Sequence, residues 1–239
     1  MASEESTALR RYAPLAWPVA ITVVIALASS IAFSVERSGK TSFWAWIVLP
    51  NVAVAVLGLL RAHRDGELRG WLRFVWGDPT RGIVSAALLV GGAIAFVHVV
   101  APAGSARESW MARLYLQFGD PTTLREHALE VAAAVIVAAT AEEIVWRGLV
   151  TRQIAEITGS RTAWIWAAVL YALAHAPTAY ALRDPVAGLN PVLVVAALAL
   201  GLVWGAMART SGRLMPAILS HVAFDWCVIM MFRLWGPPV

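Results

Sequence analysis

Charge is the scarcest commodity in this 239-residue chain: Asp, Glu, Lys and Arg make up 14% of it, against about 25% in a soluble domain. That shortfall excludes water as the main solvent. Cysteine occurs once, at Cys227, which excludes an internal disulfide framework and leaves the redox compartment open; an apolar-segment cysteine of this kind is a packing residue. Lysine also occurs once, at Lys40, so the net charge of +4 is carried by arginine. No stripe of arginine with interleaved aromatics is present, which excludes a nucleic-acid groove; the positive balance reports loop charge and lipid headgroup contact. Internal repeats, low-complexity tracts and long soluble extensions are lacking too.

What the chain has instead is apolar length. Hydrophobic residues make up 59%. Uncharged runs at 12–35, 41–60, 82–106 and 185–208 reach the roughly 20 residues that cross a bilayer as a helix. Segments 131–151, 162–182 and 214–234 have that length but carry ionisable residues. The expected fold is all-α: a polytopic bundle of about seven transmembrane helices in one domain, multi-pass in the cell (inner) membrane. Arg10 and Arg11 precede a first run too long for a signal-peptide core, so it is expected to stay as an uncleaved helix. Alternate connections hold 12 and 7 of the basic residues, which favours a cytoplasmic N-terminus.

Between spans, Leu68, Trp71, Leu72 and Val75 recur at helical spacing opposite Arg69 and Arg73, predicting a helix in the headgroup plane. Trp110, Leu114 and Phe118 repeat the pattern less strongly. Trp44, Trp46, Trp164, Trp166 and Trp235 mark span ends as an aromatic belt, and no tryptophan is given a binding role. Ala197, Gly201 and Gly205 place small side chains on one helix face for close packing. His98, alone in its span, is expected to be a polar group satisfied by a neighbouring helix.

The chemistry concentrates in the last 110 residues. Glu142 and Glu143 interrupt an apolar segment, at a cost of roughly 2.5 to 3.5 kcal/mol for each charge. Glu143 and Arg147 are spaced to pair on one helix face, while Glu142 points about 100° away and is available to another partner. His175 lies in the next span, and a hairpin about Thr158, Gly159 and Ser160 brings it to the depth of Glu142. A carboxylate facing a neutral imidazole can hold a water and take its proton. His221 and Asp225 project from one face of the final span. Two glutamates, two histidines and an aspartate in three apolar spans are costly as structural glue, since apolar residues would pack as well.

These residues form three motifs: Glu142-Glu143-x-x-x-Arg147, Tyr171-x-x-x-His175 and His221-x-x-x-Asp225. In this order they resemble the CAAX-protease and bacteriocin-processing family of intramembrane proteases, which includes the type II CAAX prenyl endopeptidases. The resemblance divides the chain into N-terminal spans and interfacial loops, 1–126, and a motif-bearing core, 127–239. It implies that Glu142 and His175 activate the attacking water, that His221 and Asp225 stabilise the oxyanion, and that Glu143 and Arg147 support them. Tyr171 stands where Phe is usual and adds a hydroxyl able to hydrogen-bond nearby. Asp225 stands where Asn is commoner, and an ionised Asp cannot donate to an oxyanion; either it is protonated in its apolar setting or it orients His221.

The family is described both as metal-dependent and as glutamate-dependent. Glu142, His175, His221 and Asp225 include the residue types that ligate zinc, yet no His-Glu-x-x-His pair is present. The expected substrate is a membrane-anchored protein or peptide, cut at a leader, a C-terminal sorting or anchor segment, or a CAAX-like tail. The abundance of arginine and alanine suggests a bacterial source, which favours a leader or anchor over a prenylated tail. Two other classes remain: a non-catalytic scaffold or immunity-type protein of the same fold, and a proton-coupled transporter, for which intramembrane acids and histidines also serve.

Overall fold

The computed structural model describes residues 15–159 and 161–230; Arg10, Arg11, Ser160 and Trp235 lie outside them. Within the described residues the chain is an all-α membrane-type bundle without strands. Its helices are α1 (Ala16–Ala32), α2 (Thr41–Arg64), α3 (Leu68–Trp71), α4 (Asp78–Val100), α5 (Glu108–Phe118), α6 (Pro121–Glu126) and α7 (Ala128–Glu143). A π-helical segment, Ile144–Val150, runs into α8 (Thr151–Thr158). Then come α9 (Ala163–Ala174), α10 (Ala176–Ala181), α11 (Val192–Ser211) and α12 (Met215–Met230).

Among the described residues α2, α4 and α11 are long and apolar enough to cross a bilayer as single helices, while α1 and α12 are shorter. The other two expected spans are composite. Segment 131–151 is part of a longer run, α7 through the π segment into α8, and segment 162–182 is broken at His175 between α9 and α10. Pro177 accounts for the break, because it has no N–H for the carbonyl four residues back. The expected span 185–208 begins later, at Val192. Asp184 takes its place in a turn, accepting from Val186 and Ala187 N–H through its carboxylate and bridging to Gly188.

Alternate connections gather at opposite ends, as a chain threading a membrane must. At one end Arg152 pairs with Asp65 and Glu67, Arg61 with Glu156, and Arg213 with Asp78. At the other, Ser38 Oγ donates to the Leu116 carbonyl, Arg113 pairs with Asp184, and Asn190 donates to the Trp110 carbonyl. The run from α7 to α8 is central: α7 packs on α2 and α12, and the π segment on α2 and α9. Close approach is provided by small residues. A Cβ at Gly82 would lie 2.7 Å from Leu219 Cβ, and one at Gly201 would lie 3.2 Å from Ala168 Cβ and Tyr171 Cδ1, so the stripe on α11 does meet a neighbouring helix.

Several interfacial expectations change. The helix expected through Val75 is a single turn, because Leu214 N–H donates to the Trp71 carbonyl and Asp78 captures the Val75 N–H. The fainter pattern, by contrast, gives the longer amphipathic helix: α5 buries Trp110, Met111, Leu114 and Tyr115. Trp146 and Trp204 are fully buried in the core rather than at the belt. His98 is exposed, and its ring contacts the Ile94 carbonyl of its own helix instead of a neighbour.

Candidate active site

Glu142 and Glu143 end α7 where the turn widens into the π segment, an arrangement frequent at functional sites. Their side chains diverge. Glu143 is fully buried, 3.0 Å from Arg147 Nη1 and 2.8 Å from His221 Nδ1 through the same Oε1. Glu142 faces a cavity of about 440 Å³ that Tyr171, His175, His221 and Asp225 also line. The hairpin that brings α9 alongside turns at Gly159, whose φ of +82° is left-handed and suits a residue without Cβ.

Each cavity side chain is held. Tyr171 donates its hydroxyl to Glu142 Oε2 at 2.8 Å, which puts the hydroxyl that distinguishes it from Phe directly on the available acid. His175, at the break between α9 and α10, has Nδ1 2.9 Å from the Tyr171 carbonyl. A carbonyl only accepts, so Nδ1 carries a proton in this bond. His221 is clamped on three sides: Nδ1 on Glu143, Nε2 3.3 Å from Asp225 Oδ2 and 4.0 Å from Glu142 Oε2, and its face stacked on Trp204 at 3.7 Å. Trp204 is itself fixed by donating Nε1 to Ser220 Oγ at 3.0 Å. Arg147 lies over the rings of Tyr171 and Trp204, 4.8 and 5.4 Å from their centroids.

The two glutamates, two histidines and aspartate singled out in the sequence belong to one cluster with Arg147, in two layers. Glu142, His175, His221 and Asp225 line the cavity; Glu143 and Arg147 stand behind His221 and do not. Asp225 Oδ2 lies 3.3 Å from His221 Nε2, one helical turn away on the same face. Trp204 was the residue missed. Its signal was its place mid-span, between Gly201 and Gly205 of the small-residue stripe, where a belt tryptophan does not belong.

Among the described residues no three His, Cys, Asp or Glu side chains form a metal-ligand group. Both ring nitrogens of His221 lie beside carboxylate oxygens, Nδ1 at Glu143 and Nε2 at Asp225.

The remainder of the cavity is apolar, running from Glu142 past Leu89, Phe96, Leu114 and Phe118 to Phe33 and Phe43 near the end that holds the α1–α2 connection. Such a space has room for an apolar group beside Glu142. Residues 125–227, which contain all three motifs, match a family model described as type II CAAX prenyl endopeptidase Rce1-like. The family resemblance drawn from the motifs holds for that stretch, and the family is one of proteases acting on membrane-associated proteins. Neither the curated proteins nor the solved structures include a match to the chain.

Proposed function

We propose, from the premise that residues 125–227 match the Rce1-like type II CAAX prenyl endopeptidases, that this chain is an intramembrane endopeptidase that uses a carboxylate-activated water. The observation that carries the reading is the pairing of Glu142 with Tyr171 at the wall of a cavity shared with His175, His221 and Asp225. Glu142 takes a proton from a water held against the Nε2 acceptor of His175, and the hydroxide formed attacks the scissile carbonyl. His221, braced by Glu143 and Arg147, donates Nε2–H to the developing oxyanion. Asp225 accepts that N–H before substrate arrives and so keeps the ring aimed at the cavity. Protonated Glu142 then returns its proton to the leaving amine.

The substrate is a membrane-anchored protein or peptide cut at a leader or a C-terminal anchor segment, whose apolar part occupies the far end of the cavity. No step runs through a metal, so chelators leave processing unchanged. An ion-conducting or transporter role is disfavoured by the cavity wall, which away from the motif residues carries no ionisable side chain. The test compares wild type with Glu142→Ala and His175→Ala, expressed equally in the native host, by following membrane proteins for loss of a processed form. Disappearance in both variants, with the protein folded and inserted, supports the hydrolase and the accumulated precursor identifies its substrate. Unchanged processing in both sinks it.

A further inference from the structure

A second cavity, of about 240 Å³, lies on the other side of Arg147 from the proposed catalytic residues, and none of the chemistry above uses it. Its walls come from four places: Trp71 of α3, Arg147 and Thr151 at the end of the π segment, Trp164 at the start of α9, and Arg209 with Arg213 around the turn from α11 to α12. Three arginines therefore line it, and no Asp or Glu does. Its position is the end of the bundle where Arg152, Arg61 and Arg213 make their ion pairs, with Trp71 and Trp164 at the level of span ends. Basic pockets between spans at such an end are where anionic headgroups bind.

Existing partners do not exhaust these cations. Arg213 is committed, with two bonds to the buried Asp78 and one to the Ser211 carbonyl. Arg209 donates only Nη1, to the Arg161 carbonyl, and is otherwise exposed. Arg147 is the informative one. It is 7% exposed, with Nη1 3.0 Å from Glu143 Oε1, so it adds a buried positive charge behind the cavity wall rather than an accessible donor. Water takes about 30 Å³ per molecule in the liquid, so the space holds a tetrahedral oxyanion with room to spare.

The geometry points to a phosphate-binding site in this cavity, in which a phosphate group, from a lipid headgroup or free in solution, accepts hydrogen bonds from Arg209 in the field of the buried Arg147 and the paired Arg213. The site is independent of the proposed peptidase chemistry and stands or falls without it. The guanidinium fork suits phosphate oxygens taken two at a time. Gly205 and Gly212 face the cavity without side chains and leave it open.

The test uses the purified full chain in neutral detergent and reads its thermal midpoint with added phosphatidylglycerol, inorganic phosphate, or diacylglycerol of matching chains. Phosphatidylglycerol is expected to raise the midpoint by about 5 °C, and diacylglycerol to leave it unchanged. The shift should fall by more than half in Arg209→Gln, return in Arg209→Lys, and persist in Arg73→Gln, an exposed arginine of the same end outside the cavity. An equal shift from inorganic phosphate alone assigns the site to free phosphate; none from it assigns the site to lipid. Native mass spectrometry of the wild type should show one retained phosphatidylglycerol per chain, a readout that needs no variant. No shift from either phosphate probe, an undiminished shift in Arg209→Gln, or an equal loss in Arg73→Gln overturns the site.

Discussion

The two adjacent glutamates offer the sharpest test of the layered site, because removing either should produce opposite phenotypes. Glu143 is fully buried and is the shared partner of Arg147 and His221, whose side chains are each 3% exposed. Glu143→Ala therefore strands a buried guanidinium and removes the acceptor of His221. Breaking a buried pair from one side costs about 3 to 5 kcal/mol, which for a chain of this size lowers the thermal midpoint by about 6 to 20 °C. Glu142 is 13% exposed at the side chain and borders a cavity. Its removal costs one hydrogen bond from Tyr171, about 1 kcal/mol, or about 2 to 4 °C. Glu142→Ala is thus expected to fold almost normally and lose processing altogether, while Glu143→Ala loses stability first. If an uncompensated charge is the cause, Glu143→Ala combined with Arg147→Met is more stable than Glu143→Ala alone. Thermal unfolding in detergent, monitored by near-ultraviolet circular dichroism, gives all four midpoints. Equal destabilisation by the two single variants, or a double variant worse than Glu143→Ala, would refute the division into a cavity acid and a supporting acid.

Tyr171→Phe removes the hydroxyl bonded to Glu142 but fills the same space, so processing should slow by about 10- to 100-fold, the equivalent of about 1.5 to 3 kcal/mol, with the midpoint nearly unmoved; unchanged turnover would remove Tyr171 from the mechanism. Gly201→Ala places a methyl 3.2 Å from both Ala168 Cβ and Tyr171 Cδ1 and is expected to cost about 1 to 3 kcal/mol as overpacking, read as a lowered midpoint together with slowed processing. Away from the spans, the backbone N–H groups of Ala187 and Val186 hold the Asp184 carboxyl down to about 2. Because that value lies below the unfolded one of about 3.9, the stabilisation is complete above about pH 5 and lost as pH falls through about 2. The midpoint gap between wild type and Asp184→Asn should accordingly hold from pH 7 to 5 and close toward pH 2; a gap that widens on acidification contradicts the assignment.

Much of the site was legible because it obeys short-range helical geometry. The pairings of Glu143 with Arg147 and of His221 with Asp225 are four-residue steps on a helix, and helical rotation separates Glu142 from Glu143 whatever the rest of the fold does. Glu142 and His175 line one cavity, with a glycine turn between their helices. Illegible features were those that depend on contacts between segments distant in the chain. Nothing local announced that Leu214 would end α3 by bonding to the Trp71 carbonyl, or that Gly148 accommodates the Trp71 ring, which a Cβ there would meet at 2.5 Å.

The sequence by itself determined that the chain is an all-α membrane bundle, since apolar length and scarce charge leave few other solvents for it, and that three motifs of ionisable residues lie in its last 110 residues. Tertiary structure decided what each acid meets: a cavity for Glu142, and His221 beside Arg147 for Glu143. Rotation of α7 against α9 and α12 is set by interlocking surfaces: the Gly201 approach to Tyr171, the Trp204 stack on His221, and Arg147 lying across both aromatic rings. Such packing depends on the joint shape of four helices, and no spacing within a single helix encodes it.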